Sequence, residues 1–237
     1  MCRSMFCAIP CLWRVWDEEA RDKMLLFLPA VGLEIGAIWA LLAWLCRYLA
    51  LPALVQGAVL GAYPFIVTGF IHLDGFMDVT DAVRSCRDLA RRREILKDSH
   101  VGSFAVIGVV LLALCQTALF ASAKAAASLW TLALLPAISR CGSALAVTVL
   151  RPMSTSQYAA QKKPKSHIIV LCAQLAVYLA AGFFAGWKTG LALCGCLAGY
   201  ALALRKAFRS LDGMNGDISG YALTLSELCG AAVWALI

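Results

Sequence analysis

The chain has 237 residues, of which 62% are hydrophobic and 15% charged, with a formal net charge of +7. So apolar a composition excludes an ordinary soluble domain. The apolar runs are continuous and rich in Ala and Leu rather than alternating, which excludes a transmembrane strand barrel. The predicted fold class is all-α: a polytopic membrane helical bundle forming one domain over residues 1–237.

The first 24 residues mix charged and apolar types, as in RVWDEEARDK, and no cleavable signal peptide is expected. Residues 11–19, CLWRVWDEE, have the aromatic and charged character of a short interfacial helix. About seven runs then have the length that crosses a bilayer as a helix, near 25–45, 51–71, 103–123, 128–149, 167–187, 189–204 and 219–237. The sixth is short, and a tilted or partly re-entrant course is open for it.

Lys and Arg alternate between the segments that join these runs. From the N-terminus the segments carry 4, 1, 6, 1, 4, 1 and 3 basic residues, with Arg140 left inside a helix. Basic residues favour the cytoplasmic side, so the N-terminus is expected inside. The distribution points to a multi-pass protein of the cell (inner) membrane rather than to a nucleic-acid binder. The 11 cysteines form no CxxC pair and mostly lie in apolar runs, where they read as small hydrophobic residues.

The second run ends in IHLDGFMDVTDA, residues 71–82, which places Asp74, Asp78 and Asp81 beside His72 at a membrane edge. On a helix the three acids fall within roughly 60° of one another. Three ionised carboxylates so close repel, and a divalent cation relieves that repulsion. Mg²⁺ takes hard oxygen ligands and commonly joins one or two carboxylates to substrate phosphates. The three aspartates are therefore candidate metal ligands and catalytic residues for diphosphate chemistry, as against scattered acids on a solvated loop. Gly75 leaves room for close approach to the backbone. His72 is a candidate substrate contact or a hydrogen-bonded interfacial residue.

The following loop carries Arg91, Arg92 and Arg93, read as a topology anchor, and then Lys97, Asp98, Ser99 and His100. Lys97 and Ser99 are candidate phosphate contacts, with Asp98 joining the metal site. The alternative is a helix start capped by Ser99. A second acidic stretch, SLDGMNGDISGY, supplies Asn215 as a substrate contact and Asp217 as a catalytic acid or base. Its alternative is a tight loop before the last helix. Arg140, Glu34 and Glu227 are charges at membrane depth and should have partners. Arg140 either binds a phosphate or pairs with Glu34 or Glu227.

The stretch HLDGFMDVTDA resembles the HLDGxxDxxDA signature of the cobalamin synthase (adenosylcobinamide-GDP ribazoletransferase) family. FCAIPCLWRVWDEEARDKMLLFLPAVGLEIG is similar to that family's opening, ILKDSHVGSFAV to its KDSRxGxxG stretch, and SLDGMNGDISGYALTLSE to its GGxTGDxxGAxxExxE segment. The matches are ordered and cover most of the chain. It departs from the pattern at His100, where arginine is usual; at Asp212 and Asn215, where glycine and threonine are usual; and at Leu223 and Thr224, where Asn-Glu is common. Glu227 is retained.

The resemblance implies an Mg²⁺-dependent integral membrane enzyme that joins adenosylcobinamide-GDP to α-ribazole, or to its 5′-phosphate, and releases GMP. The sequence leaves open a single chain or a homo-oligomer. Two other membrane transferases use acidic clusters. A CDP-alcohol phosphotransferase would show DGxxAR followed by GxxxDxxxD, and a prenyltransferase two related Asp-rich repeats; neither pattern is present. A transporter would use Asp74, Glu34, Arg140 and Glu227 as an ion path.

Overall fold

The second apolar run does not continue as one rod. Helix α4 (Ala53–Val67) stops at Thr68, and α5 (Ile71–Arg84) leaves at 92° to it. Gly69 and Phe70 both take left-handed backbone angles at the break, with φ of 59° and 64°. Glycine adopts that region at no steric cost; Phe70 follows it and is half exposed. The turn lets the acidic stretch leave the apolar layer as a separate helix. Helix α5 thus carries Asp74, Asp78 and Asp81 as predicted, on its own element and not on the end of a span.

The structure, a computed structural model, describes residues 1–10, 17–124, 127–154, 156 and 164–237, without the side chains of residues 18 and 19. Most of the interfacial helix expected at 11–19 lies outside the described residues, as do Arg14, Lys162 and Lys163. Among the described residues there are eleven helices and no strand. A short α1 (Cys2–Phe6) and α2 (Glu18–Arg21) precede α3 (Met24–Tyr48). After α4 and α5 come α6 (Leu89–Ile95), α7 (Ser103–Ala121) and α8 (Leu129–Val149). The chain ends with α9 (Lys165–Ala185), α10 (Trp187–Leu211) and α11 (Gly216–Leu236).

Five helices, α3, α7, α8, α9 and α10, are long and apolar enough to cross a membrane, and the bent α4–α5 pair makes up to six. The sixth apolar run, read as short, lies in α10, which has 25 residues. Helix α11 has 21 residues and runs through the bundle, but it carries buried Thr224, Ser226 and Glu227. Its polar face is turned to protein rather than lipid, and it is not among the helices apolar enough to cross a membrane by composition alone. With α11 counted, the bundle accounts for about seven spans.

Contacts between the connecting segments reproduce the predicted alternation. At one end, the Arg47 guanidinium donates to the Ala127 carbonyl at 2.9 Å, and Lys124 and Lys188 both reach the Ile237 carbonyl. At the other, Arg92 donates to the Ser210 carbonyl at 3.3 Å, and Arg93 to those of Leu211 and Asp212 at 3.0 and 2.6 Å. The last carbonyls of a helix lack intrahelical partners, so the arginine run also closes the C-terminus of α10, beyond the anchoring role read for it.

Two apolar clusters occupy the two halves. One gathers Phe76, Val79, Met153, Met214 and Ile218 near the arginine-rich end. The other surrounds Trp39, Phe120 and Trp234, whose rings lie 5.3 and 5.4 Å apart in sequence. Along α8 and α11, Arg140 and Glu227 fall between residues of these clusters. Arg140 donates to Glu227 Oε1 at 2.5 Å, Ser139 donates to the same oxygen at 2.8 Å, and Arg140 is fully buried. Glu34 instead pairs with Arg3 at 2.8 Å on a partly exposed face.

Removing one member of a buried ion pair leaves an unpaired charge, which typically costs about 3–5 kcal/mol, whereas apolar replacement of both is often neutral. Glu227→Leu should therefore lower the unfolding temperature in detergent sharply, and Arg140→Met/Glu227→Leu should recover most of the loss. Equal losses in the single and double variants would contradict the pairing.

Candidate functional site

Helix α5 meets α11 at Gly75. A Cβ at that position would lie 2.8 Å from the Asp217 carbonyl oxygen and 2.9 Å from its Cα. The close approach predicted for Gly75 is thus made by the start of α11. It sets Asp217 against the α5 turn that carries Asp74 and Asp78. A second contact follows one turn along, where the Thr224 hydroxyl donates to the His72 carbonyl at 3.3 Å.

Asp217 is oriented by its neighbour. Asn215 stands at the N-cap of α11: its side-chain oxygen accepts from the Ile218 N–H at 3.0 Å, and its amide donates to Asp217 Oδ2 at 2.7 Å. A capping Asn satisfies an otherwise orphaned helical N–H; here the same side chain also fixes a carboxylate. Asn215, read from the sequence as a substrate contact, positions Asp217 in the structure.

Asp81 departs from the predicted cluster. Its Oδ2 accepts from the Gly102 N–H at 2.6 Å and its Oδ1 from the Ala105 N–H at 3.0 Å. Asp81 is buried and caps the N-terminus of α7 from a different helix. A side chain at Gly102 would collide with it, since a Cβ would lie 2.5 Å from Oδ2. The three acids share a helical face, but each successive turn of α5 meets a different neighbour, and the last meets α7. The Ser99 cap read as an alternative is therefore supplied by Asp81.

The half-buried Asp78 has Asp74, Asp217 and Asp81 as its acidic surroundings. Asp98 is absent from that group. It accepts from the His100 N–H at 3.0 Å and contacts His100 Nδ1 at 2.7 Å in an exposed turn. Lys97 and Ser99 are exposed in the same turn. Asp217, which comes from the far end of the sequence, stands in the acidic cluster where Asp98 was expected. Arg140 is enclosed with Glu227 and not open to a phosphate, so its predicted substrate contact is replaced by an internal ion pair. That pairing, with Glu34 held by Arg3, also breaks up the residues of an ion path.

His72 is brought beside Asp217. A cavity of about 110 Å³ opens between them and is bordered by Ser143 and Ser219. The His72 ring stacks on Phe6 with centroids 6.4 Å apart, and its Nε2 is buried without a hydrogen-bond partner. A larger cavity of about 570 Å³ opens at the α4–α5 break, where Asp74 meets Ser4, Thr68 and Phe70.

Among the described residues, no three His, Cys, Asp or Glu side chains are gathered tightly enough to form a finished metal cage. The donor set still suits Mg²⁺. It is all carboxylate oxygen, and Mg²⁺ usually rests on one or two carboxylates completed by water and substrate phosphates.

The family model for CobS, cobalamin-5-phosphate synthase, matches residues 1–235. The chain belongs to this family. It is 35% identical over 242 aligned residues to the adenosylcobinamide-GDP ribazoletransferase of Clostridium perfringens (strain 13 / Type A), covering 100% of this chain and 96% of that protein. Against the protein of the same name from Clostridium botulinum (strain Alaska E43 / Type E3), identity is 33%, with 97% and 93% covered. For that of Corynebacterium diphtheriae it is 27%, with 93% and 84% covered. No solved structure matches the chain.

The departures from the cobalamin synthase pattern fall at positions that tolerate them. Asp212, where glycine is usual, has a left-handed backbone with φ of 53°, a region that Asp enters more readily than most residues. Its carboxylate is engaged by Arg93 and Arg151. Asn215 replaces one good capping residue with another. His100 is exposed, Leu223 packs in the core, and Thr224 ties α11 to α5.

A hydrogen bond to a charged group contributes about 1.5–3 kcal/mol. Asp81→Asn keeps one acceptor and loses the charge, so it should lower stability by an amount in that range. The loss should appear in metal-free detergent without substrate, by thermal unfolding. An unchanged transition there would remove the capping role.

Proposed function

We propose that this cobalamin synthase family member is an adenosylcobinamide-GDP ribazoletransferase. It joins adenosylcobinamide-GDP to α-ribazole or its 5′-phosphate and releases GMP. The observation that carries the reading is the meeting of Asp74 and Asp78 on α5 with Asp217 on α11 across Gly75. Named relatives along the whole chain support the substrates.

Asp74 and Asp78 are the residues that would hold Mg²⁺. When bound, the ion would neutralise diphosphate charge and stabilise the departing phosphate. In the transfer a ribose hydroxyl of the ribazole forms a bond to the phosphorus nearer cobinamide, and the bond from that phosphorus to the GMP oxygen breaks. Asp217, held by Asn215 through one oxygen, would take the hydroxyl proton. Phosphoryl transfer depends above all on in-line placement and charge stabilisation. Fixing Asp217 through a helix cap, and through backbone contact at Gly75, supplies such placement.

The site lies at the end where Arg92, Arg93 and Arg151 gather. By the positive-inside tendency that end faces the cytoplasm, with the N-terminus on the same side. A variant retaining Cys86 as its sole cysteine tests this, because Cys86 is exposed at that end. An impermeant maleimide should label it in inside-out vesicles and not in right-side-out ones; the opposite pattern would invert the topology.

With purified protein, adenosylcobinamide-GDP, α-ribazole and Mg²⁺, Asp78→Ala should lose nearly all GMP release, by about 10²-fold or more. Chelation should do the same to the wild type, and restored Mg²⁺ should rescue only the wild type. Ordinary turnover by Asp78→Ala would remove Asp78 from the site.

A further inference from the structure

The face of α5 opposite its acids borders a second site. Phe76, Thr80, Val83 and Arg84 lie on that face, and with α7, α10 and α11 they line a cavity of about 300 Å³. Its walls are apolar and aromatic: Leu111 and Leu112 from α7, Tyr221 and Leu225 from α11. Phe76 and Tyr221 stack within it, with ring centroids 5.7 Å apart.

Two cations stand on this groove. Arg84 closes the last turn of α5, and Lys206 lies in α10 near the arginine-rich end. Among the described residues neither has an ion-pair or hydrogen-bond partner. This sets them apart from Arg3, Arg92, Arg93, Arg140 and Arg151, all of which are engaged. Thr80 adds a buried hydroxyl with no hydrogen-bond partner on the same wall. The groove also opens laterally, since Leu111 is 56% exposed on a membrane-spanning helix and Cys115 is exposed beside it.

We propose that this groove binds one anionic phospholipid, an acyl chain lying along the apolar wall and the headgroup phosphate held between Arg84 and Lys206. Apolar walls continuous with the bilayer fit the chain, and paired cations at the membrane edge fit the phosphate. Basic pockets between membrane helices bind anionic headgroups in this way. A zwitterionic lipid would carry its own cation towards the same two positive groups, so the charge pair selects for net negative headgroups. The position behind α5 means that a bound lipid would brace the helix bearing Asp74 and Asp78. The assignment rests on the groove alone and not on the reaction catalysed.

The test uses the full chain in phosphatidylcholine nanodiscs doped with phosphatidylglycerol, released into the gas phase for native mass spectrometry. One retained phosphatidylglycerol per chain is expected. Arg84→Gln/Lys206→Gln should reduce its retention by about tenfold or more, since both charge-assisted contacts are lost. Arg205→Gln/Arg209→Gln, which removes equal charge from α10 away from the groove, should change retention less than about twofold. Cys115→Trp, which fills the groove mouth and keeps both cations, should also displace the lipid, and covers the case in which the charge variant fails to fold. Equal retention of phosphatidylcholine, or equal losses in the two charge variants, would overturn the proposal. So would competition by inorganic phosphate or glycerol phosphate as effective as the lipid itself, which would assign the cations to a soluble phosphate.

Discussion

The backbone contact of α5 with α11 at Gly75 is the constraint on which the acidic site depends. Apolar side chains gain little by leaving lipid for one another, so membrane helices associate closely where small residues let backbones touch. At Gly75 a methyl group would have nowhere to go, because Asp217 Cα lies where it would project. Any larger residue must push the helices apart. The acids of α5 and the acid of α11 would then separate as well, since each is fixed to its own helix. Glycine at this point is therefore a condition of the interhelical cluster, and the Thr224 bond to the His72 carbonyl holds the register beside it.

The charges in the rest of the bundle show how exceptional the cluster is. Arg140 is met by Glu227, Glu34 by Arg3, and Asp212 by Arg93 and Arg151. Asp81 lacks a cation but accepts two backbone N–H groups at a helix start, where partial positive charge accumulates. Asp78 has like charges for neighbours and is half-buried. Those other acids are met by cations or by backbone N–H groups within the fold, whereas Asp78 has acids for neighbours. Under the proposed reading an external cation would supply what the fold withholds.

Much of this organisation is legible in the sequence. Seven apolar runs and the alternation of basic segments anticipate the bundle and its two ends, because both follow from the bilayer as a solvent and need no knowledge of packing. The helix carrying Asp74, Asp78 and Asp81 is legible from spacing. Its turn away from α4 is signalled only by Gly69, since hydropathy runs unbroken through Phe70 and Ile71. The partners of polar side chains are the part that spacing does not encode. Asp81 reaching α7, Asn215 turning back to hold Asp217, and Arg92 and Arg93 capping α10 across more than a hundred residues all depend on tertiary placement. Gly102 was the available clue to the first: a glycine at a helix N-cap leaves the capping to another residue.

The division of labour among the acids bears on how metal and substrate would be bound. With Asp81 committed to α7 and Asn215 bonded to one oxygen of Asp217, the carboxylate oxygens of Asp74 and Asp78 are the main donors left for a cation. Two carboxylates would not complete the shell that Mg²⁺ demands, so water and diphosphate oxygens would supply the remaining ligands. Under the proposed reading, metal and nucleotide then share one coordination sphere, and each raises the affinity of the site for the other by the same factor, as linkage requires. An incomplete protein cage is on this view a means of coupling. On that reading the acids would hold the ion weakly until the diphosphate arrived, and the diphosphate would be held weakly until the ion offset its charge against Asp78.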